Sequence, residues 1–131
     1  MTTIDVHAET PRPTTRRMPE ARPVPQGRLV LLLGGGVSML LGLDAGLLLL
    51  GLPAPVSTER LPEVHGQLML IGFLGTVIAL ERAVALRRPW GFTAPLATGL
   101  GSLLLLTALP VAVGQGVQLI GLTVLVAIYG V

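Results

Sequence analysis

The chain contains no cysteine. That excludes disulfides, thiolate metal sites and thiol nucleophiles, and it leaves the redox compartment unmarked. Lysine is missing as well, so all nine basic residues are arginine. Two Phe, one Trp and one Tyr are the whole aromatic complement. These are too few to build a platform on which nucleic-acid bases stack. Charged residues make up only 12% of the chain, and the high isoelectric point comes from a few arginines beside apolar runs. Nucleic acid is therefore not an expected partner. There is also no Gly-rich phosphate loop, no Ser/His/Asp set and no two-histidine metal spacing.

What is present is hydrophobic: 51% of the 131 residues. Several apolar runs are long enough to cross a bilayer, which leaves no room for a soluble core of any size. The expected fold class is all-α, a polytopic transmembrane helix bundle with the lipid bilayer as its first partner. Four spans are predicted, near 29–52, 63–87, 93–113 and 117–131. The fourth has about 15 apolar residues, short of the roughly 20 a span needs. It stops on Tyr129-Gly-Val without charge or cap. The expectation is an N-terminal part of a longer bundle, completed by further C-terminal spans or by other membrane subunits.

Residues 1–28 hold five of the eleven prolines and five arginines. Such a segment cannot bury enough surface to offset its chain entropy, so a disordered tail is predicted there. Thr15-Arg16-Arg17-Met18 is only faintly similar to a twin-arginine export signal, and the surrounding prolines and the long apolar run argue against one. In the first span, Gly34, Ser38, Gly42 and Gly46 recur every fourth residue, which makes a groove for a neighbouring backbone. Pro53 and Pro55 are expected to end that helix. Gly114-Gln-Gly116 reads as the tight turn between the last two spans.

Five residues are candidates for chemistry. His65 opens the second span and Glu81-Arg82 nearly closes it, about 24 Å apart along a helix axis. Ionisable groups on membrane helices are costly, so each raises a functional question. His65 reads either as an interfacial histidine bonded to loop carbonyls or as a metal or haem ligand through its imidazole. Met69 lies one turn further on the same face, as core packing or as a cofactor contact. Asp44 is expected about eight residues deep in the first span, beside Gly72. It serves there either as a proton relay or ion site, or as a buried carboxyl bonded to a neighbouring Ser or Thr. Glu81 and Arg82 read as an interfacial charge pair that fixes helix depth.

The stretch His65-Gly-Gln-Leu-Met69 through Gly72-Phe-Leu-Gly75-Thr76 to Glu81-Arg82-Ala-Val-Ala-Leu86, with Trp90 and Ala94-Pro95-Leu after it, resembles a group of uncharacterised bacterial and archaeal polytopic membrane proteins. That group is similar to the NnrS family of haem- and copper-containing proteins linked to nitric oxide stress. More distantly, the His-Gly-x-x-Met pattern resembles the haem-ligand helix of subunit I in haem-copper oxidases. The resemblance covers about residues 29–110. It implies haem or metal binding with His65 as an axial ligand, in a respiratory or nitrogen-oxide-stress setting in a bacterial or archaeal inner membrane. A transporter or proton-conducting protein using Asp44 is the alternative, and a structural membrane subunit without catalysis is a third. Whether the protein is an enzyme, the residues do not say.

Orientation follows from the arginines. Arg12, Arg16, Arg17, Arg22, Arg28, Arg82, Arg87 and Arg88 fall on one side and Arg60 alone on the other. The positive-inside rule then predicts a cytoplasmic N-terminus. Reporter fusions in the tail and in the 53–64 loop should read cytoplasmic and periplasmic respectively, and a periplasmic tail would reverse the assignment.

Overall fold

The computed structural model describes residues 25–130. Most of the tail predicted over 1–28 lies outside the described residues. Its last four do not, and three of these are helical, because the first helix, α1, runs Gln26–Leu49. A short helix, α2, follows at Arg60–Glu63. Helix α3 spans His65–Leu86, α4 Thr93–Leu104 and α5 Val111–Tyr129. The described residues are all helix, turn or loop.

Three of these helices, α1, α3 and α5, are long and apolar enough to cross a membrane. They are also poorly covered by one another. Only 22%, 33% and 28% of their most apolar windows are buried inside the bundle. Leu29, Leu33, Leu40, Leu70, Leu119 and Val126 all face outward. An apolar exterior on that scale suits hydrocarbon rather than water.

The helix ends follow local backbone chemistry. Gly51, with φ 73°, takes the left-handed conformation beyond α1. Its N–H donates to Leu48 O at 3.0 Å and that of Leu52 to Leu47 O at 2.9 Å, the paired bonds of a Schellman motif. So α1 stops at Leu49 through the turn at Gly51, ahead of the prolines expected to stop it. Helix α3 ends on Arg87, left-handed at φ 55°, and then Arg88 is extended as a residue before proline must be. Inside α3, residues Leu68–Gly75 hydrogen-bond as a π-helix.

The largest departure from expectation concerns the third and fourth runs. The 93–113 run is not one helix. Helix α4 has 12 residues, about 18 Å at the usual rise, too short to span alone. Thr107 closes the turn that follows, donating to Leu104 O at 2.7 Å and accepting from Leu109 N–H at 3.3 Å. Pro110 then precedes α5 as its N-cap. Gly114, Gln115 and Gly116 therefore lie in α5 rather than in a turn. An evenly apolar run carries no mark of where one helix stops, and Pro110 belonged to the next helix.

Helices α4 and α5 form an antiparallel hairpin with almost no space between backbones. A Cβ on Gly101 would stand 2.8 Å from Gln118 N and from Gly114 O. On Gly121 it would stand 2.8 Å from Thr98 N. No L side chain fits there without parting the helices. Gly101→Ala and Gly121→Ala should each destabilise the detergent-solubilised protein by about 1–3 kcal/mol. Gly116→Ala, on the same α5 but with nothing within 4 Å, should be neutral or stabilising by up to about 1 kcal/mol through helix propensity. Equal thermal midpoints for all three would remove the close-approach account.

Candidate functional site

Helices α1 and α3 pack antiparallel in a register that glycine sets. Gly46 faces His65, Gly42 faces Leu68 and Met69, Ser38 faces Gly72, and Gly35 faces Thr76. The buried line on α1 is Gly35, Ser38, Gly42 and Ala45. That is helical three-and-four spacing rather than the strict four-residue stripe from Gly34.

His65 turns its ring onto α1. Its Cε1 lies 3.4 Å from where a Gly46 Cβ would be, so the missing side chain is what admits the imidazole. Nδ1 is 2.8 Å from Gly42 O. A carbonyl only accepts, so Nδ1 carries the hydrogen, and in the neutral ring the lone pair then belongs to Nε2. The acceptor is a carbonyl of the neighbouring helix, whereas the sequence points to acceptors in the adjoining loop. Met69 occupies the notch one turn further along: a Cβ on Gly42 would meet its Sδ at 2.5 Å. The Met69 thioether thus lies within the α1–α3 contact. Among the described residues no group of three or more His, Cys, Asp or Glu comes together.

Asp44 stands between Gly42 and Gly46, which puts it level with Gln67 and not with Gly72 as expected. The reason is that α2 takes up the end of the bundle and packs against α1. His65 consequently starts deeper than a two-helix hairpin would place it. Asp44 is half-buried, and its Oδ2 accepts from Val56 N–H at 3.3 Å. The carboxylate ties the 50–59 loop back onto α1; its recorded partner is backbone, where a neighbouring Ser or Thr was expected.

Glu81 and Arg82 are both exposed. Adjacent helical residues point about 100° apart, and Arg82 turns to α5. Its Nε donates to Tyr129 OH at 3.0 Å, and its guanidinium carbon lies 4.6 Å from the ring centroid.

Two features escaped the sequence reading. The first is a buried polar seam of Ser38, Thr76, Thr98, Ser102 and Gln118, drawn from all four long elements. Gln118 Nε2 donates to Ser102 Oγ at 2.8 Å, and Ser102 donates to Thr98 O at 2.8 Å. Thr98 Oγ1 lies 3.0 Å from Thr76 Oγ1 and donates to Ala94 O at 3.1 Å, so Thr76 is the donor between the two threonines. Both chains of donors end on α4 carbonyls, which hold protons in place and do not pass them on. Small polar residues at helical spacing were the only available signal. The second feature is Arg60. Its Nη1 donates to Thr107 O and, at 2.8 Å, to Leu109 O. It thereby satisfies two backbone carbonyls of the turn between α4 and α5.

Gln67 supplies a test of this arrangement. Its Oε1 is buried without a hydrogen-bond partner. It stands two residues past His65, about 200° around the helix and off the α1-facing side. Replacing an orphaned acceptor by an isosteric apolar group removes its desolvation cost. Gln67→Met should leave the fold intact and raise stability by about 1–3 kcal/mol, read as a higher thermal midpoint in detergent. A lowered midpoint would mean that the amide is bonded.

A family model described as "Domain of unknown function (DUF8744)" matches residues 28–131. No curated protein and no solved structure matches the chain. The family match covers every described helix except the first two residues of α1, and the chain belongs to the DUF8744 family.

Proposed function

We propose that the chain is a multi-pass protein of a bacterial or archaeal inner membrane, N-terminus in the cytoplasm, that binds haem or a metal ion through His65. The observation that carries this reading is the 2.8 Å contact of Nδ1 with Gly42 O. A ring oriented by a backbone acceptor on one nitrogen presents the other as a ligand of fixed direction, the usual arrangement behind a metal-bound histidine. When bound, haem would supply redox or gas-ligand chemistry, in keeping with an NnrS-like role in respiration or nitrogen-oxide stress.

The residues on hand fit one side of such a group. His65 offers Nε2 and would hold the group, while Met69 is engaged with α1 at Gly42. A second ligand would come from outside this set: further spans, another subunit or a second copy. The alternative of proton transport through Asp44 draws less support, because that carboxylate is occupied by the Val56 amide and stands apart from the polar seam.

Purification of the full-length protein from haem-replete cells tests the proposal. The expected outcome is a haem absorption band that His65→Ala abolishes or shifts, with helicity by circular dichroism unchanged. A colourless wild type lacking bound iron and copper would end the reading and return His65 to a packing role against Gly46.

A further inference from the structure

At the end of the bundle opposite His65, α1, α3 and the turn into α4 converge on a cavity of about 820 Å³. Three arginines line it: Arg28 from the first turn of α1, and Arg87 and Arg88 just beyond α3. Val84, Pro89 and Phe92 supply apolar wall, and among the described residues none of the lining is acidic. A second cavity of about 390 Å³ shares Arg28 and Phe92 with the first and continues to Leu31 on α1. The two adjoin at Arg28 and Phe92, the first carrying the three arginines and the second walled mainly by apolar Pro25, Leu31 and Phe92. Trp90, exposed at this level, is the residue type that sits at a headgroup boundary.

Three guanidiniums around one space repel each other unless an anion joins them. The planar guanidinium fork matches phosphate oxygens two at a time. Arg87 adds a further indication. Its backbone is left-handed at φ 55°, a place where glycine sits without cost and a long side chain does not. Helix termination alone does not account for an arginine there. Arg28 is half-buried although it is charged and lies in the first turn of a helix, where the macrodipole disfavours a cation. Both positions gain if the shared space holds a negative charge.

We propose that this cavity binds the phosphate of an anionic phospholipid, with an acyl chain running past Phe92 and Leu31. The charge supplies the preference for anionic lipid, and the apolar continuation distinguishes a lipid from a free anion. The site is independent of the His65 reading, because it lies at the other end of the bundle and shares no residue with it.

The test uses the delipidated full chain in nanodiscs or mixed micelles. Retained lipid is counted by native mass spectrometry, and affinity is measured with phosphatidylglycerol, phosphatidylcholine and inorganic phosphate as probes. The wild type should retain phosphatidylglycerol and not phosphatidylcholine, and inorganic phosphate should fail to displace it. Arg28→Gln and Arg88→Gln should each weaken phosphatidylglycerol binding about fivefold, and together with Arg87→Gly about a hundredfold. Arg87→Gly suits the left-handed backbone and so removes the guanidinium without strain, which keeps the test open if the triple variant does not fold. Equal retention of the two lipids, or an Arg87→Gly variant that binds as the wild type does, would overturn the site. Displacement by inorganic phosphate would assign the arginines to a soluble anion and overturn the lipid.

Discussion

The arrangement rests on backbone meeting backbone. Where α4 crosses α5, and where α3 crosses α1, the separation is set by glycines whose Cβ would fall inside another residue's van der Waals radius. In a medium as apolar as leucine, burying leucine gains little, so dispersion between closely approached backbones holds helices together. That accounts for a chain with 17 glycines whose described residues are nonetheless mostly helical. It also accounts for the outward-facing leucines, which contribute little to the contact between helices.

Close approach brings a second requirement. Backbone and side-chain polar groups that meet no water must bond to one another. The seam answers this by directing each donor to a hydroxyl or carbonyl on a neighbouring or preceding turn. Two apolar clusters flank it. One is built on Ala45, Leu61, Val64, Leu68 and Leu105 toward the loop end, the other on Ala79, Ala94, Leu125 and Ile128 toward the arginine end. The seam favours one registry, because a slip of one turn would break the two bonds that cross between helices, Thr76 to Thr98 and Gln118 to Ser102. Arg60 does the same for the turn between α4 and α5, reaching across from α2 with a side chain long enough to touch two carbonyls.

Much of the fold was legible in the sequence because span length and proline placement act locally. The cores of α1 and α3 fell where run length puts them. Helices α4 and α5 were misdivided because an apolar stretch with no charge looks alike as one long helix or as two. Pro110 falls within the predicted 93–113 span, yet it caps the start of the next helix. The depth of Asp44 was lost for a different reason. Register between helices depends on what fills the end of the bundle, and α2 is four residues whose packing leaves no periodic trace. For the candidate site, His65 and Met69 were visible as residue types on one face. Their partner Gly42 was visible as part of a groove, but the bond from imidazole to backbone carbonyl was not, since a carbonyl has no letter in a sequence.

The π-helical stretch of α3 sets a matter of phase. A turn closed by i→i+5 bonds holds one more residue than an α turn. Each residue of an α-helix carries its side chain round by about 100°. Relaxing one wide turn to α would therefore swing everything on the His65 side through roughly that angle relative to Arg82 and Tyr129. The imidazole would then leave Gly42, while the arginine end kept its contacts. Leu68–Gly75 works like the offset in a coupling between two shafts: it sets how the two halves of one helix are clocked against the rest of the bundle.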